Sequence, residues 1–183
     1  MRRAAVLLGF GLVLLWVQGG LATFLPPHFC PDLGLLLVIS LGLWWRGLTS
    51  GLCMAAGLGY AADALSGSLL GLHALLRLVA FSGSRLASRQ LNLRGPLPLA
   101  VFAACASVAY GLAAVGLTHF FSPSSPPSGD AGFRGLVDAL VQALVTAVAA
   151  PAVSAAVQRV FAWAGEDEAA RRPLLLEPRG PLA

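Results

Sequence analysis

Residues 4–25 read AAVLLGFGLVLLWVQGGLATFL. This run carries no charge and is long enough to cross a bilayer, for which a helix needs about 20 apolar residues. Backbone amides inside hydrocarbon must be bonded within their own segment, so the run is read as a helix. Pro26 and Pro27 stop it, because proline removes amide donors and restricts the residue before it. The same pattern recurs outward along the chain. Of its 183 residues, 57% are hydrophobic and 11% charged, and the mean hydropathy is +0.80, too apolar for a soluble domain built around one core.

The expected fold is therefore all-α, a polytopic membrane bundle of about six helices, with spans near 4–25, 33–45, 47–65, 68–83, 97–121 and 136–163. These make a membrane domain over residues 1–164. PPHFCPD, SGSRLASRQLNLR and SPSSPPSGD are expected as connections, and the charged, proline-punctuated tail over 165–183 as disordered. The last apolar stretch exceeds what a bilayer requires, which predicts a tilt or a kink at Pro151.

All twelve basic residues are arginine. They are scattered among apolar runs and gather on no single face, which argues against a nucleic-acid partner. In a six-span arrangement Arg2, Arg3, Arg46, Arg85, Arg89, Arg94, Arg159, Arg171, Arg172 and Arg179 fall on one side, Arg134 falls on the other and Arg77 lies within a span. Positive charge is retained on the cytoplasmic side, so both termini are expected there, in a bacterial inner membrane. A five-span arrangement would divide the arginines between the two sides. Met1 to Ala22 has the order of a signal peptide, but the spans that follow favour an uncleaved first helix. Cys30, Cys53 and Cys105 have neither CxxC nor metal-ligand spacing.

Small residues recur every fourth position through Gly47, Gly51, Ala55 and Gly59, and the row reaches Asp63, Gly67 and Gly71 across a turn. Helices in lipid associate through such close contacts, so the row reads as bundle packing or as a face for a partner helix. A hairpin at Ser66-Gly67-Ser68 would bring Asp63 and His73 to one depth. Capping of the hairpin, partner contact and proton or ligand handling are the three roles open to them. Arg77 is expected to snorkel to the cytoplasmic interface, with the bundle interior toward Asp138 as its alternative. Arg134, Asp138, Gln142 and Thr146 form an i+4 polar stripe that must face protein or water, as bundle packing or as the wall of a small-molecule cavity. No HExxH, GxSxG or phosphate-binding loop is present, so no enzyme, cofactor or metal site is expected. GLGYAAD resembles the GxGD loop of intramembrane aspartyl proteases only superficially, because Tyr60, Ala61 and Ala62 separate Gly59 from Asp63.

From Pro31 to Arg89 the chain resembles the MreD family of bacterial rod-shape-determining membrane proteins. The resemblance rests on Pro31 and Asp32 before the second span, a glycine-rich stretch from Gly51 to Asp63, the turn Ser66 to Ser68, and then Gly71 and His73. It implies a non-enzymatic scaffold of the cell-elongation (rod) complex, supporting peptidoglycan synthesis and cell shape. The implied partners are MreC, the synthase RodA and the elongation-specific penicillin-binding protein, the last two directly or through MreC, within membrane lipid. The implied helical fold is similar to the substrate-binding subunits of energy-coupling-factor transporters. The chain departs from the family pattern at Arg77, usually an apolar or aromatic position, and in the tail after Trp163. The alternative function is a small-molecule-binding membrane subunit of a vitamin-type transporter, its pocket lined by the polar stripe of the last span.

Overall fold

The computed structural model describes residues 2–26, 29–45, 47–67, 70–91, 95–121 and 129–170. Six helices and no strand occur among them: α1 (Arg2–Phe24), α2 (Leu33–Trp44), α3 (Leu48–Ser66), α4 (Leu72–Gln90), α5 (Pro96–Phe121) and α6 (Gly129–Ala170). Three of these are long and apolar enough to cross a membrane, over Ala4–Phe24, Pro96–Thr118 and Val137–Ala164.

The short helix α2 is the centre of the molecule. Its residues from Gly34 to Gly42 are buried on every side, as expected of a helix that is apolar all round. α1, α3, α4, α5 and α6 surround it. Leu35, Leu37, Ile39 and Leu41 join Leu7 of α1, Leu58 of α3, Phe81 of α4 and Val157 of α6 in one core.

The small-residue row divides into distinct roles. Gly59 sits against the α4 backbone, where a side chain would come 2.7 Å from both the Ala74 nitrogen and the His73 oxygen. Gly51 leaves room for the Phe81 ring, and Ala55 is fully buried. Gly47 precedes α3 as its cap. Gly67 and Gly71 adopt positive φ, 64° and 95°, and so end α3 and begin α4 in a conformation that other residues adopt only with strain.

Two expected boundaries differ. Residues 82–90, read as a basic loop, are helical. The hydroxyls of Ser82 and Ser84 donate to the Leu78 and Ala80 carbonyls one turn back, so these polar side chains are accommodated within the helix. α6 also exceeds its expected limits, taking in Gly129 and Asp130 at one end and residues 165–170 of the expected tail at the other, and it runs through Pro151. Its 42 residues extend about 63 Å at about 1.5 Å each, well beyond a hydrocarbon core of about 30 Å. Residues 171–183, Arg46, Arg94, Ser68 and the side chain of Arg134 lie outside what the structure describes.

Candidate functional site

Asp63 is placed by the last turn of α3 directly beneath the first turn of α4. Its carboxylate is fully buried. One oxygen accepts from the Gly71 and Ala74 amides at 2.9 and 3.3 Å. The other accepts from the His73 amide at 3.0 Å and lies 2.7 Å from His73 Nδ1. A helix start leaves amides without internal partners and carries partial positive charge, and both are answered here by one carboxylate. Gly71, the residue at the cap position, has no side chain to offer. Asp63 therefore replaces a local cap across the hairpin and fastens α3 to α4.

Asp32 plays the local version of this part. Its carboxylate accepts from the Leu35 amide at 2.8 Å and caps α2, while its own amide donates to Thr146 Oγ1 of α6 at 3.3 Å. Pro31 contributes a carbonyl that accepts from the Leu33 amide. Within the polar stripe of α6, Thr146 is buried by this contact, Gln142 faces a cavity and Asp138 is exposed.

Arg77 does not reach an interface. It is 2% exposed and points into the bundle, where Nη1 donates to the Leu58 carbonyl at 2.6 Å and Nη2 lies 3.9 Å from the Asp32 carboxylate. Snorkelling fails because α4 turns this face toward α2 and α3. Gly34 makes the path possible: a methyl group there would collide with the guanidinium, 2.9 Å from Cζ. The interior partner is thus Asp32 and not Asp138.

These groups border a cavity of about 640 Å³ lined by parts of α1, α3, α4, α5 and α6. Asp32, Arg77, His73, Ser107, Tyr110 and Gln142 supply its polar wall, and Leu15, Leu65, Ala114 and Val115 part of its apolar wall. Arg77 and Tyr110 lie within hydrogen-bonding reach of each other, and Arg77 Nε and Tyr110 Oη are enclosed there with no other partner among the described residues. The Tyr110 ring packs against His73, with centroids 6.1 Å apart. Cys30, in the connection before α2, donates from Sγ to the Gln18 carbonyl at 3.6 Å. Its burial, and then the neighbouring Asp32 charge, push its thiol above the ordinary range.

Of the residues singled out in the sequence, the structure brings Asp32, Gly59, Asp63, Gly71 and His73 to one end of the α2–α3–α4 core, with Pro31 and Gly67 at the adjoining turns. Gly51 and Ala55 lie deeper and shape packing only. Gly34, the Leu58 carbonyl and Tyr110 were not anticipated. Tyr110 had a readable signal, since Ser107, Tyr110, Gly111 and Ala114 put polar and small residues on one face of an otherwise apolar helix. Among the described residues, no group of three His, Cys, Asp or Glu side chains is placed to hold a metal ion. Comparison with protein-family models, curated proteins and solved structures finds no match.

Proposed function

We propose that the chain is a non-enzymatic scaffold of the bacterial inner membrane, of the MreD type. It would act in the cell-elongation complex by binding MreC, and with RodA and the elongation-specific penicillin-binding protein directly or through MreC. One observation carries this reading: Asp32, Gly59, Asp63, Gly71 and His73, on which the resemblance rests, work together in one region of the helix core. Asp63 caps α4, Gly59 admits the same turn of α4, and Asp32 starts the helix at the centre. The shared pattern is thus explained as architecture, which suits a protein that positions others.

A six-span arrangement with both termini cytoplasmic is supported by the arginines. Arg85, Arg89 and Arg159 lie toward the end of the bundle opposite Asp32 and Asp63, as the positive-inside rule requires. α2 is too short to face lipid across a whole bilayer, but it is wrapped by protein and need not do so. The exposed apolar faces of α1 and α5, which include Trp16, Val101 and Val115, supply surface for lipid and for a partner's membrane helix.

The test is depletion of the protein in its native rod-shaped bacterium, with cell width followed by microscopy. Rounding that re-expression reverses is the expected result. Normal shape combined with a nutrient requirement would sink the scaffold reading and favour transport.

A further inference from the structure

The most apolar helices of this chain carry few polar side chains, and those side chains converge. Between residues 4 and 22, Gln18 is the only amide, hydroxyl or charged group, and between 97 and 117 the only ones are Ser107 and Tyr110. All three line the cavity of about 640 Å³, together with Asp32 and with Gln142 of α6. Polar groups at membrane depth are costly and turn to protein or to a cavity, where they suggest function.

Arg77 and Tyr110 are spent within the bundle. Arg77 Nη1 donates to the Leu58 carbonyl, Nη2 lies over Gly34, and Tyr110 is the neighbour of the same guanidinium. The other four keep unused bonding capacity. Ser107 is 8% exposed, and its hydroxyl makes no hydrogen bond among the described residues, whereas Ser40, Ser82 and Ser84 donate to carbonyls one turn back. Gln18 uses its amide oxygen on the Gly34 nitrogen and leaves its amide nitrogen unpaired. Asp32 uses Oδ1 on the Leu35 amide and leaves Oδ2 unpaired. Gln142 pairs neither end of its amide among the described residues. None of these atoms is among the sealed, unbonded ones, so all four side chains stay open to the cavity they line.

Charge and hydrogen-bonding capacity together select the occupant. An anion would lie beside the Asp32 carboxylate and a cation beside Arg77, 3.9 Å from it, and each would be repelled in a medium of low dielectric. The occupant is therefore uncharged. Asp32 Oδ2 only accepts, the Gln18 nitrogen only donates, and Ser107 and Gln142 do both. A hydroxyl is donor and acceptor at once, so several hydroxyls on one compact frame answer all four. The volume is in the range of small-molecule sites. Leu15, Ala114 and Val115 leave an apolar wall for the carbon face of such a frame. Leu65 and Val115 are 67% and 60% exposed, which joins the cavity to the outer surface of the bundle.

We propose that this cavity binds an uncharged polyhydroxyl group, a neutral sugar ring being the simplest form. Two sources share that chemistry, the sugar head of a membrane lipid and a free sugar. The proposal stands independently of the scaffold role, since an occupied cavity leaves the outer faces of the bundle unchanged.

The test places the full chain in phosphatidylcholine nanodiscs, free of sugar-headed detergent, and counts bound lipid by native mass spectrometry. The probes are monoglucosyldiacylglycerol, glucuronosyldiacylglycerol, which differs by one carboxylate, and diacylglycerol, which lacks the ring. Methyl glucoside is the soluble competitor. The glucosyl lipid is expected to bind about tenfold more tightly than either of the others. Ser107→Ala and Gln142→Met should each weaken it about three- to tenfold, the loss of one neutral hydrogen bond. Neither side chain bonds to the described protein, so the unfolding midpoint without lipid should stay at the parent value in both, which separates lost binding from lost folding. Displacement by methyl glucoside assigns the site to free sugars as well, and failure to displace assigns it to the lipid head. Equal binding of the three lipids, binding unchanged in both variants, or no binding of the glucosyl lipid or of methyl glucoside would overturn the proposal.

Discussion

The two ends of the bundle treat charge in opposite ways. At one end Asp63 and Arg77 are buried, and each is held by backbone atoms of a neighbouring helix: the Gly71, His73 and Ala74 amides for Asp63, and the Leu58 carbonyl for Arg77. At the other end Arg89 and Arg159 are exposed, and the half-buried Arg85 donates to the Trp45 carbonyl at the end of α2. Arg77 and Arg85 lie on the same helix, two turns apart, about 12 Å along its axis. The role of an arginine in this chain follows its depth: at the rim Arg89 and Arg159 are exposed, whereas in the interior Arg77 ties α4 to α3.

The largest effect that follows is at Asp63. Asp63→Ala removes the acceptor for three amides at the start of α4 and the partner of His73, all in a buried setting. Removing one member of such a buried charged arrangement costs about 3–5 kcal/mol. Denaturant titration in detergent micelles, followed by tryptophan fluorescence, should show that loss, while Asp138→Ala at the exposed start of α6 should not. Equal midpoints for the two variants would break the contrast between buried and exposed charge.

Gly59 sharpens the same contrast by steric means. Gly59→Leu drives a side chain into the α4 backbone, which cannot step aside as a flexible side chain would. Overpacking of this kind costs about 1–3 kcal/mol, and separation of α3 from α4 would also pull Asp63 from its amides. Hydrogen exchange is the discriminating measurement: protection should fall at Gly71, His73 and Ala74 and be retained in α5. A uniform loss along the chain, or none, would refute a local hinge between α3 and α4.

Some of this architecture was legible and some was not, for reasons that attach to particular residues. The limits of α1, α2 and α5 follow from Pro26, the Pro31-Asp32 cap and Pro96, which act locally and leave clear marks in sequence. Asp63 and His73 were paired correctly because a tight turn brings neighbouring segments together whatever the rest of the fold does. The inward course of Arg77 was hidden. An apolar stripe ordinarily identifies the buried side of a helix, but the buried side of α4 carries Arg77 and Ser84 together with Leu72, Leu76 and Phe81, so the stripe does not announce that Arg77 turns inward. The better index was the absence of side chains: Gly34 opposite Arg77, Gly51 opposite Phe81 and Gly59 opposite Ala74 mark where α4 lies. The end of α4 was misread for the converse reason. Its serines and arginines look like a loop, yet a helix that has left the apolar core can carry them.

The smallest effect is expected at the rim, and it tests the comparison from its other side. Arg89→Gln and Arg159→Gln remove charges that are exposed on the surface, so each should leave the unfolding midpoint within about 0.5 kcal/mol of the parent. Arg77→Gln is the same chemical change in the interior. It gives up a charged hydrogen bond to the Leu58 carbonyl and should cost about 1.5–3 kcal/mol. The ranking is expected to reverse when orientation is read instead of stability. With reporter fusions at the end of α6, loss of Arg89 and Arg159 together lowers the positive charge at the end proposed to be cytoplasmic, and should raise the fraction of inverted chains. Loss of Arg77 should leave that fraction unchanged, because a charge buried between helices adds nothing to the loops that set direction. Equal stability losses at all three positions would mean that depth does not separate the two roles.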